Sequence, residues 1–160
     1  MKRIKLTQGK YALVSDKDYI WLNQWKWYAQ KHRQTWYAHR QIRTGCGRKI
    51  TVAMHREIVG LTPKANVQVD HRDNNGLNNQ RRNLRVASHG QNQHNQKIHS
   101  NNTSGFKGVS RHGKQWQAGI RKNNRRYYLG HFNDPIEAAR AYNKAAKKYF
   151  GRFAQVNKVK

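Results

Sequence analysis

The sequence predicts an α+β chain built from two modules, residues 1–96 and residues 104–160, joined by a linker over residues 97–103. Three observations carry that expectation. Short β-prone runs separated by turn residues fill residues 10–60, and a strand, loop, strand, helix order follows between Val69 and Asn95. The stretch around residues 96–104 is polar and has no hydrophobic period, as a linker requires. Beyond it, three strand-like runs lead into one capped helix, which predicts a three-stranded antiparallel sheet packed on that helix.

In chain order, Tyr11 to Val14 reads as a strand and Asp16 to Leu22 as the start of a helical turn. Trp25, Trp27 and Tyr28 precede a second strand, Thr35 to Arg40, and Gly45-Cys46-Gly47 turns the chain into a third, Lys49 to Met54. These aromatics read as the core of an antiparallel sheet rather than as base-stacking groups. Leu84 to Ala87 is the strand before a helix beginning at about His89, because Ser88 and Gln91 have capping-box spacing; Asn92 falls in its first turn.

In the second module Phe106 to Ser110, Trp116 to Arg121 and Arg126 to Phe132 read as strands, with turns at residues 111–114 and 122–124. Alternation puts Trp116, Ala118 and Ile120 on one face and Gln117, Gly119 and Arg121 on the other; Tyr127 and Leu129 face inward, Arg126 and Tyr128 outward. Asp134 as N-cap, Pro135 at the first helical position and Glu137 at capping-box spacing start the helix, an Ala138, Ala139, Tyr142, Ala145, Ala146, Tyr149 stripe gives it a packing face, and Gly151 ends it.

Charge narrows the partner. Lys and Arg number 33 against 7 acidic residues, a net charge of +26, and both modules share the excess. Such a field draws polyanions, and nucleic acid fits better than a membrane surface, because the basic residues are spread along the chain and no apolar run approaches a spanning length. Five Trp, eight Tyr and four Phe supply core material for two small modules, which argues against disorder. The single cysteine, Cys46, excludes an internal disulfide and a CxxC-type zinc site. Met1 to Gln8 has charges but no apolar segment, so no signal peptide is expected and the expected location is cytoplasmic.

The chemistry concentrates in Val69-Asp70-His71-Arg72-Asp73-Asn74-Asn75, followed by Asn83-Leu84-Arg85 and Gln91 to Asn95. Phosphodiester hydrolysis needs a base for the attacking water and positive charge for the phosphorane. Asp70 offers an anionic oxygen and Asn92 a neutral one to a hard cation such as Mg2+, and His71, with an ordinary pKa near 6.5, offers the base. Asp70-His71, Asn83 and Asn92 resemble the motif of HNH endonucleases, the ββα-metal nucleases, in the branch found in phage and mobile-intron homing enzymes. Tyr11 to Leu22 and Met54 to Gly60 resemble that branch as well, so the likeness covers roughly residues 8–96. It implies that Asp70 and Asn92 bind one divalent metal, Mg2+ or another such as Mn2+, that His71 is the general base and that Asn83 orients its imidazole. Asn92 stands where the family name has its last H. His55 reads equally as a structural histidine or an active-site one, and Arg81, Arg82 and Arg85 as contacts to the DNA backbone.

Phe106-Lys107-Gly108-Val109, Trp116 to Arg121, Tyr128 to Phe132 and Glu137 to Ala146 resemble the APETALA2/ethylene-response-factor DNA-binding domain over about residues 104–157. The resemblance implies a sheet that enters the major groove of double-stranded DNA, with Lys107, Arg111, Arg121, Arg126 and Tyr128 facing it. Two departures are visible: the family's arginine-rich first strand is here Lys107 and Ser110, and its third-strand Trp is Tyr128. Lys presents one point charge where Arg presents a fork, which weakens base-specific reading.

The combined expectation is a metal-dependent DNA endonuclease of the homing type, phage-like, acting in a bacterial host cell, targeted by its second module and needing no small-molecule cofactor beyond the metal. The rival is a non-catalytic DNA-binding transcriptional regulator with a degenerate nuclease module. An RNA-binding protein ranks third, since a sheet reader suits the wide major groove of B-form DNA.

Overall fold

In the computed structural model, which describes residues 1–32, 35–61, 66–96, 98 and 101–159, the first strand is one that charge conceals. Three of the four residues of β1 (Lys2–Lys5) are basic and exposed, and only Ile4 turns inward. It pairs antiparallel with β2 (Tyr11–Val14), whose Ala12 and Val14 are fully buried. The chain is mixed α+β, with four α-helices among the described residues, and divides into two compact units, Met1–Asn92 and Gln93–Lys160. None of those helices is long and apolar enough to cross a membrane.

In the first unit, α1 (Asp16–Asn23) buries Leu22, whose carbonyl accepts the Trp27 indole N–H at 2.8 Å. A second sheet joins β3 (Tyr28–His32), β4 (Thr35–Arg43) and β5 (Lys49–Ala53), antiparallel throughout, with Tyr28 opposite His39 and His39 opposite Ala53. Met54, expected at the end of a strand, instead opens α2 (Met54–Ile58). The reason is periodicity: Met54 and Ile58, four residues apart, are both buried, which a helix achieves and a strand also allows only by burying Arg56 between them. Then β6 (Gln68–His71) pairs antiparallel with β8 (Leu84–Ala87), while the two-residue β7 (Asn78–Asn79) adds in parallel to β2. Ile4, Val14, Leu22, Trp27, Met54, Ile58, Val69 and Leu84 form one core beneath these sheets. Ser88 and Gln91 make the reciprocal capping box (Gln91 N–H to Ser88 Oγ 3.2 Å, Ser88 N–H to Gln91 Oε1 2.9 Å) that starts α3 (His89–His94).

In the second unit, β9 (Val109–His112), β10 (Gln115–Lys122) and β11 (Arg125–Phe132) form an antiparallel meander, and α4 (Pro135–Phe150) buries Ala138, Ala139, Tyr142 and Ala146 with Val109, Ala118 and Ile120. The first strand starts three residues later than expected. Gly108 has a φ of +75°, and a Cβ there would lie 2.1 Å from the Tyr142 ring, so residues 106–108 turn against the helix instead of extending. Arg111 and His112 belong to the strand, leaving Gly113-Lys114 as the turn. The second hairpin turns through Asn123 and Asn124, both at positive φ (49° and 60°), the conformation that tight hairpins demand. A bulge at Leu129 shifts the β10–β11 register between Ala118 and Gly119. Asp134 accepts the Ile136 N–H at 3.0 Å and Gly151, at φ +50°, ends the helix. Of the expected linker over 97–103, residues 97, 99 and 100 lie outside the described residues.

Candidate functional site

Strand pairing sets the site. Asp70 faces Arg85 and His71 faces Leu84 across β6 and β8. Asp70 and Arg85 are both buried, and Arg85 reaches Asp70 Oδ2 through Nε at 2.7 Å and Nη2 at 2.6 Å. Arg85, expected at the DNA backbone, is thus placed beneath the surface and paired with a carboxylate. A buried charge needs such a partner, because desolvation of either ion alone is costly.

His71 is also buried, and its Nε2 donates to Asn79 Oδ1 at 3.2 Å. In the neutral ring this leaves the lone pair on Nδ1. Burial lowers the His71 pKa, against smaller raising contributions from Asn79, Asp73 and Asp70, so the ring is held in its proton-accepting form. The His55 ring meets it edge-on, with centroids 5.1 Å apart, and Tyr37 lies 5.8 Å from His71 and 5.5 Å from His55. Burial, with some repulsion from Asp70, pushes the Tyr37 hydroxyl pKa upward. Tyr37 can approach because residue 76 is glycine: a Cβ there would meet the Tyr37 ring at 2.7 Å and the Trp36 carbonyl at 2.4 Å.

Asn83, expected to orient the imidazole, bonds to the loop that follows it. Its Nδ2 donates to Asp73 Oδ1 at 2.9 Å and to the Asn78 carbonyl at 2.8 Å, and its Oδ1 accepts the Asp73 N–H at 3.2 Å. Its carbonyl accepts the Arg72 N–H at 2.9 Å. Asn83 therefore closes the loop that leaves His71, and Asn79 is a partner of the imidazole. Burial acts to raise the Asp73 pKa, but hydrogen bonds from the Asn75 N–H, Asn78 and Asn83 outweigh it and hold the carboxyl below its usual range. The sequence carried a signal for this network, the asparagine run at 74, 75, 78, 79 and 83, without a means of ranking its members.

Asn92 sits in the first turn of α3, where its N–H reaches the Ser88 carbonyl and its Nδ2 donates to Gln68 Oε1 at 2.5 Å. Commitment of Nδ2 to Gln68 orients the amide, so that its oxygen is the atom that could serve a cation. Among the described residues no group of three or more His, Cys, Asp or Glu is placed to hold a metal. The donor set of one carboxylate and one amide oxygen fits a hard cation such as Mg2+, which takes one or two protein oxygens and completes its shell with phosphate and water.

Of the other arginines expected at phosphate, Arg81 forks onto the buried Asp18 (Nε to Oδ2 2.9 Å, Nη2 to Oδ1 2.8 Å) while its N–H reaches Ser15 Oγ, and Arg82 is exposed.

In the second unit the sheet's outer row pairs Arg121 with Arg126, Gly119 with Tyr128, and Gln117 with both His131 and Ser110. Arg126 donates to Gln117 Oε1 at 3.3 Å, and Tyr128, 58% exposed, shares a 3.0 Å hydrogen bond with His131 Nδ1. Gly108, Val109, Ser110, Gly119, Ile120, Arg121 and Arg126 line a shallow groove here. Two other residues expected at DNA make contacts within the protein. The exposed Arg111 spreads over the Trp116 ring at 4.9 Å. The Lys107 ammonium donates to the carbonyls of His94 (2.9 Å) and Gln96 (2.7 Å), its main chain is clamped by Asn157, and burial lowers its pKa to about 8.

An uncharacterized HNH endonuclease of Acanthamoeba polyphaga mimivirus is 30% identical to this chain over 156 residues, which span 95% of the chain and 77% of that relative. No protein-family model matches the chain.

Proposed function

Because the chain belongs to the HNH endonuclease family, we propose that it is a metal-dependent, homing-type DNA endonuclease in which Asp70, His71, Asn83 and Asn92 form a ββα-metal site and the second unit, of APETALA2/ethylene-response-factor type, selects double-stranded DNA. The observation that carries this reading is His71: a buried neutral imidazole with one nitrogen held by Asn79, directly following a buried carboxylate in the same strand.

In this reading His71 Nδ1 takes the proton of a water whose oxygen attacks phosphorus in line with the bond to the 3′ oxygen. That bond breaks, leaving a 5′ phosphate and a 3′ oxygen that takes a proton from solvent to become the 3′ hydroxyl. Asn79 fixes the tautomer and Asn83 fixes the loop that follows the base. Asp70 and Asn92 would hold Mg2+ or Mn2+, which supplies charge stabilisation at the phosphorane and leaving oxygen. The outer row Arg121, Arg126 and Tyr128 would face the major groove, and Arg82 the phosphates.

One observation favours the rival, a non-catalytic DNA-binding regulator: Asp70 Oδ2 is already engaged by Arg85. Relaxation of supercoiled plasmid carrying the cognate site, with and without Mg2+, decides between them. Mg2+-dependent nicking or linearisation supports the endonuclease, and DNA binding without any cutting supports the regulator.

A further inference from the structure

The His71 base has a neighbour that the mechanism above leaves idle. His55 is the second residue of α2, and its ring stands edge-on to His71, with centroids 5.1 Å apart and planes at 72°. That position is held from both sides. Arg56 Nη1 donates to the Val67 carbonyl at 2.7 Å, tying α2 to the entry of β6, and Glu57 receives a two-pronged bond from Arg40 of β4 (3.1 and 2.5 Å). Arg40 itself is stacked over Trp25 and Trp27. A helix of five residues is thus anchored through the consecutive Arg56 and Glu57 to the entry of β6 and to β4, and the anchored segment is the one that presents His55.

The Nδ1 atom of His55 is buried and has no hydrogen-bond partner among the described residues. A buried imidazole nitrogen left unpaired is costly, and such atoms in native structures call for a partner that arrives later. Burial, reinforced by His71, His39 and Arg56, lowers the His55 pKa to about 3, so the ring is neutral and can donate one N–H without competing as a base.

We propose that His55 is a second working imidazole of the site, donating its Nδ1–H to a non-bridging oxygen of the scissile phosphodiester. The proposal rests on the nuclease reading and extends it. A water activated by His71 must lie about 3–3.5 Å from phosphorus, so the phosphate has to come up beside the His71 ring, where His55 already stands. A preorganised neutral donor in a dry wall strengthens its hold as negative charge builds on the phosphorane oxygens. His39 is the internal contrast. Its Nδ1 is likewise buried without a partner among the described residues, but its ring packs on Tyr28, at 6.0 Å, and Tyr37, at 6.3 Å, rather than edge-on to His71.

The test uses the full chain and plasmid bearing its site. His55→Ala is expected to lower kcat roughly 10²–10³-fold, the loss typical of one oxyanion donor, with DNA affinity changed less than threefold. His55→Asn, whose amide N–H overlays Nδ1, recovers most of that loss, His55→Gln, which overlays Nε2, does not, and His39→Ala cuts within a few-fold of wild type. Oligonucleotides with a single phosphorothioate diastereomer give the direct readout. One diastereomer slows the wild type, and that effect disappears in His55→Ala. Near-normal cutting by His55→Ala, rescue by Gln rather than Asn, or an undiminished thio effect overturns the proposal. If the Ala variant does not fold, the Asn and Gln pair carries the same comparison. If the wild type does not cut at all, the nuclease reading fails separately. Nitrogen-15 shifts of the His55 ring on metal-free duplex binding then decide: a moved Nδ1 signal supports the phosphate contact, and an unmoved one ends it.

Discussion

Asp70 and Arg85 face each other in one antiparallel strand pair and are bonded through the same carboxylate oxygen, at 2.7 and 2.6 Å, with side chains only 5% and 6% exposed. Arg85 therefore serves the carboxylate before it serves DNA. Arg85→Ala would leave Asp70 buried without its cation, a change that typically costs about 3–5 kcal/mol. Thermal unfolding of the full chain should show a large loss in the transition of the first unit. If Arg85→Ala instead kept its stability and lost DNA affinity with a shallower salt dependence, Arg85 would be a phosphate contact.

Asn79 and Asn83 should separate by the pH profile of the rate. Asn79→Ala removes the acceptor that fixes the His71 tautomer and leaves a buried N–H unpaired, so it should cost about 1–3 kcal/mol of stability and part of the about 10²–10⁴-fold that a general base supplies. Because the Asn79 bond raises the His71 pKa, the acid limb of the rate should also move to lower pH in this variant. Asn83→Ala frees the loop from Asp73 to Asn78 and should cost about 1–3 kcal/mol of stability with the acid limb left in place. Denaturation curves and rates across pH on the same two variants check this, and the reverse pattern would exchange their roles.

Acid should destabilise the first unit through His55. Its folded pKa of about 3 lies below the ordinary 6.5, so between those values the unfolded chain binds a proton that the native chain does not. Stability therefore falls as pH drops from about 6.5 toward about 3, at up to about 1.4 kcal/mol per pH unit from this group. His55→Gln should lose that dependence and shift its acid-unfolding midpoint, followed by near-ultraviolet circular dichroism, to lower pH than the wild type. Equal midpoints would mean that the imidazole is solvated in the native state.

On the second unit, Arg121→Ala and Arg126→Ala should each cost roughly 1–3 kcal/mol of discrimination between cognate and altered sites if they read base edges. Lys107→Ala should leave discrimination intact and lower the thermal stability of the second unit, since the ammonium is spent on the carbonyls of His94 and Gln96. Competition binding against point-altered sites, beside melting curves, distinguishes the two classes. Wild-type stability with lower affinity in Lys107→Ala would restore it to the DNA face.

What could be read in advance was whatever depends on local chemistry. The Ser88–Gln91 capping box, the Asp134-Pro135 helix start and the Asn123-Asn124 hairpin all form from residues close in sequence. What could not be read depends on distant partners. β1 is hidden by its charges and revealed only by pairing with β2. Gly108 looks like a strand residue until the Tyr142 ring, 34 positions on in the chain, packs where its side chain would be. The same limit applies to the site. Asp70, His71 and Asn92 announce themselves by residue type, but their partners Arg85, Asn79 and Gln68 are assigned by strand register and loop closure. A surface arginine and a buried one look alike in sequence, and only pairing tells Arg82 from Arg85.

The central claim, that His71 is the base of a phosphodiester hydrolase, is tested most directly by turnover of supercoiled cognate DNA in Mg2+ by wild type and His71→Ala, with affinity measured in parallel. The account predicts that His71→Ala binds DNA as the wild type does and cuts about 10²–10⁴-fold more slowly. It also predicts that the wild-type rate falls on acidification with its limb below pH 6.5, because burial lowers the pKa of this ring. A folded His71→Ala protein that cuts at the wild-type rate would contradict it.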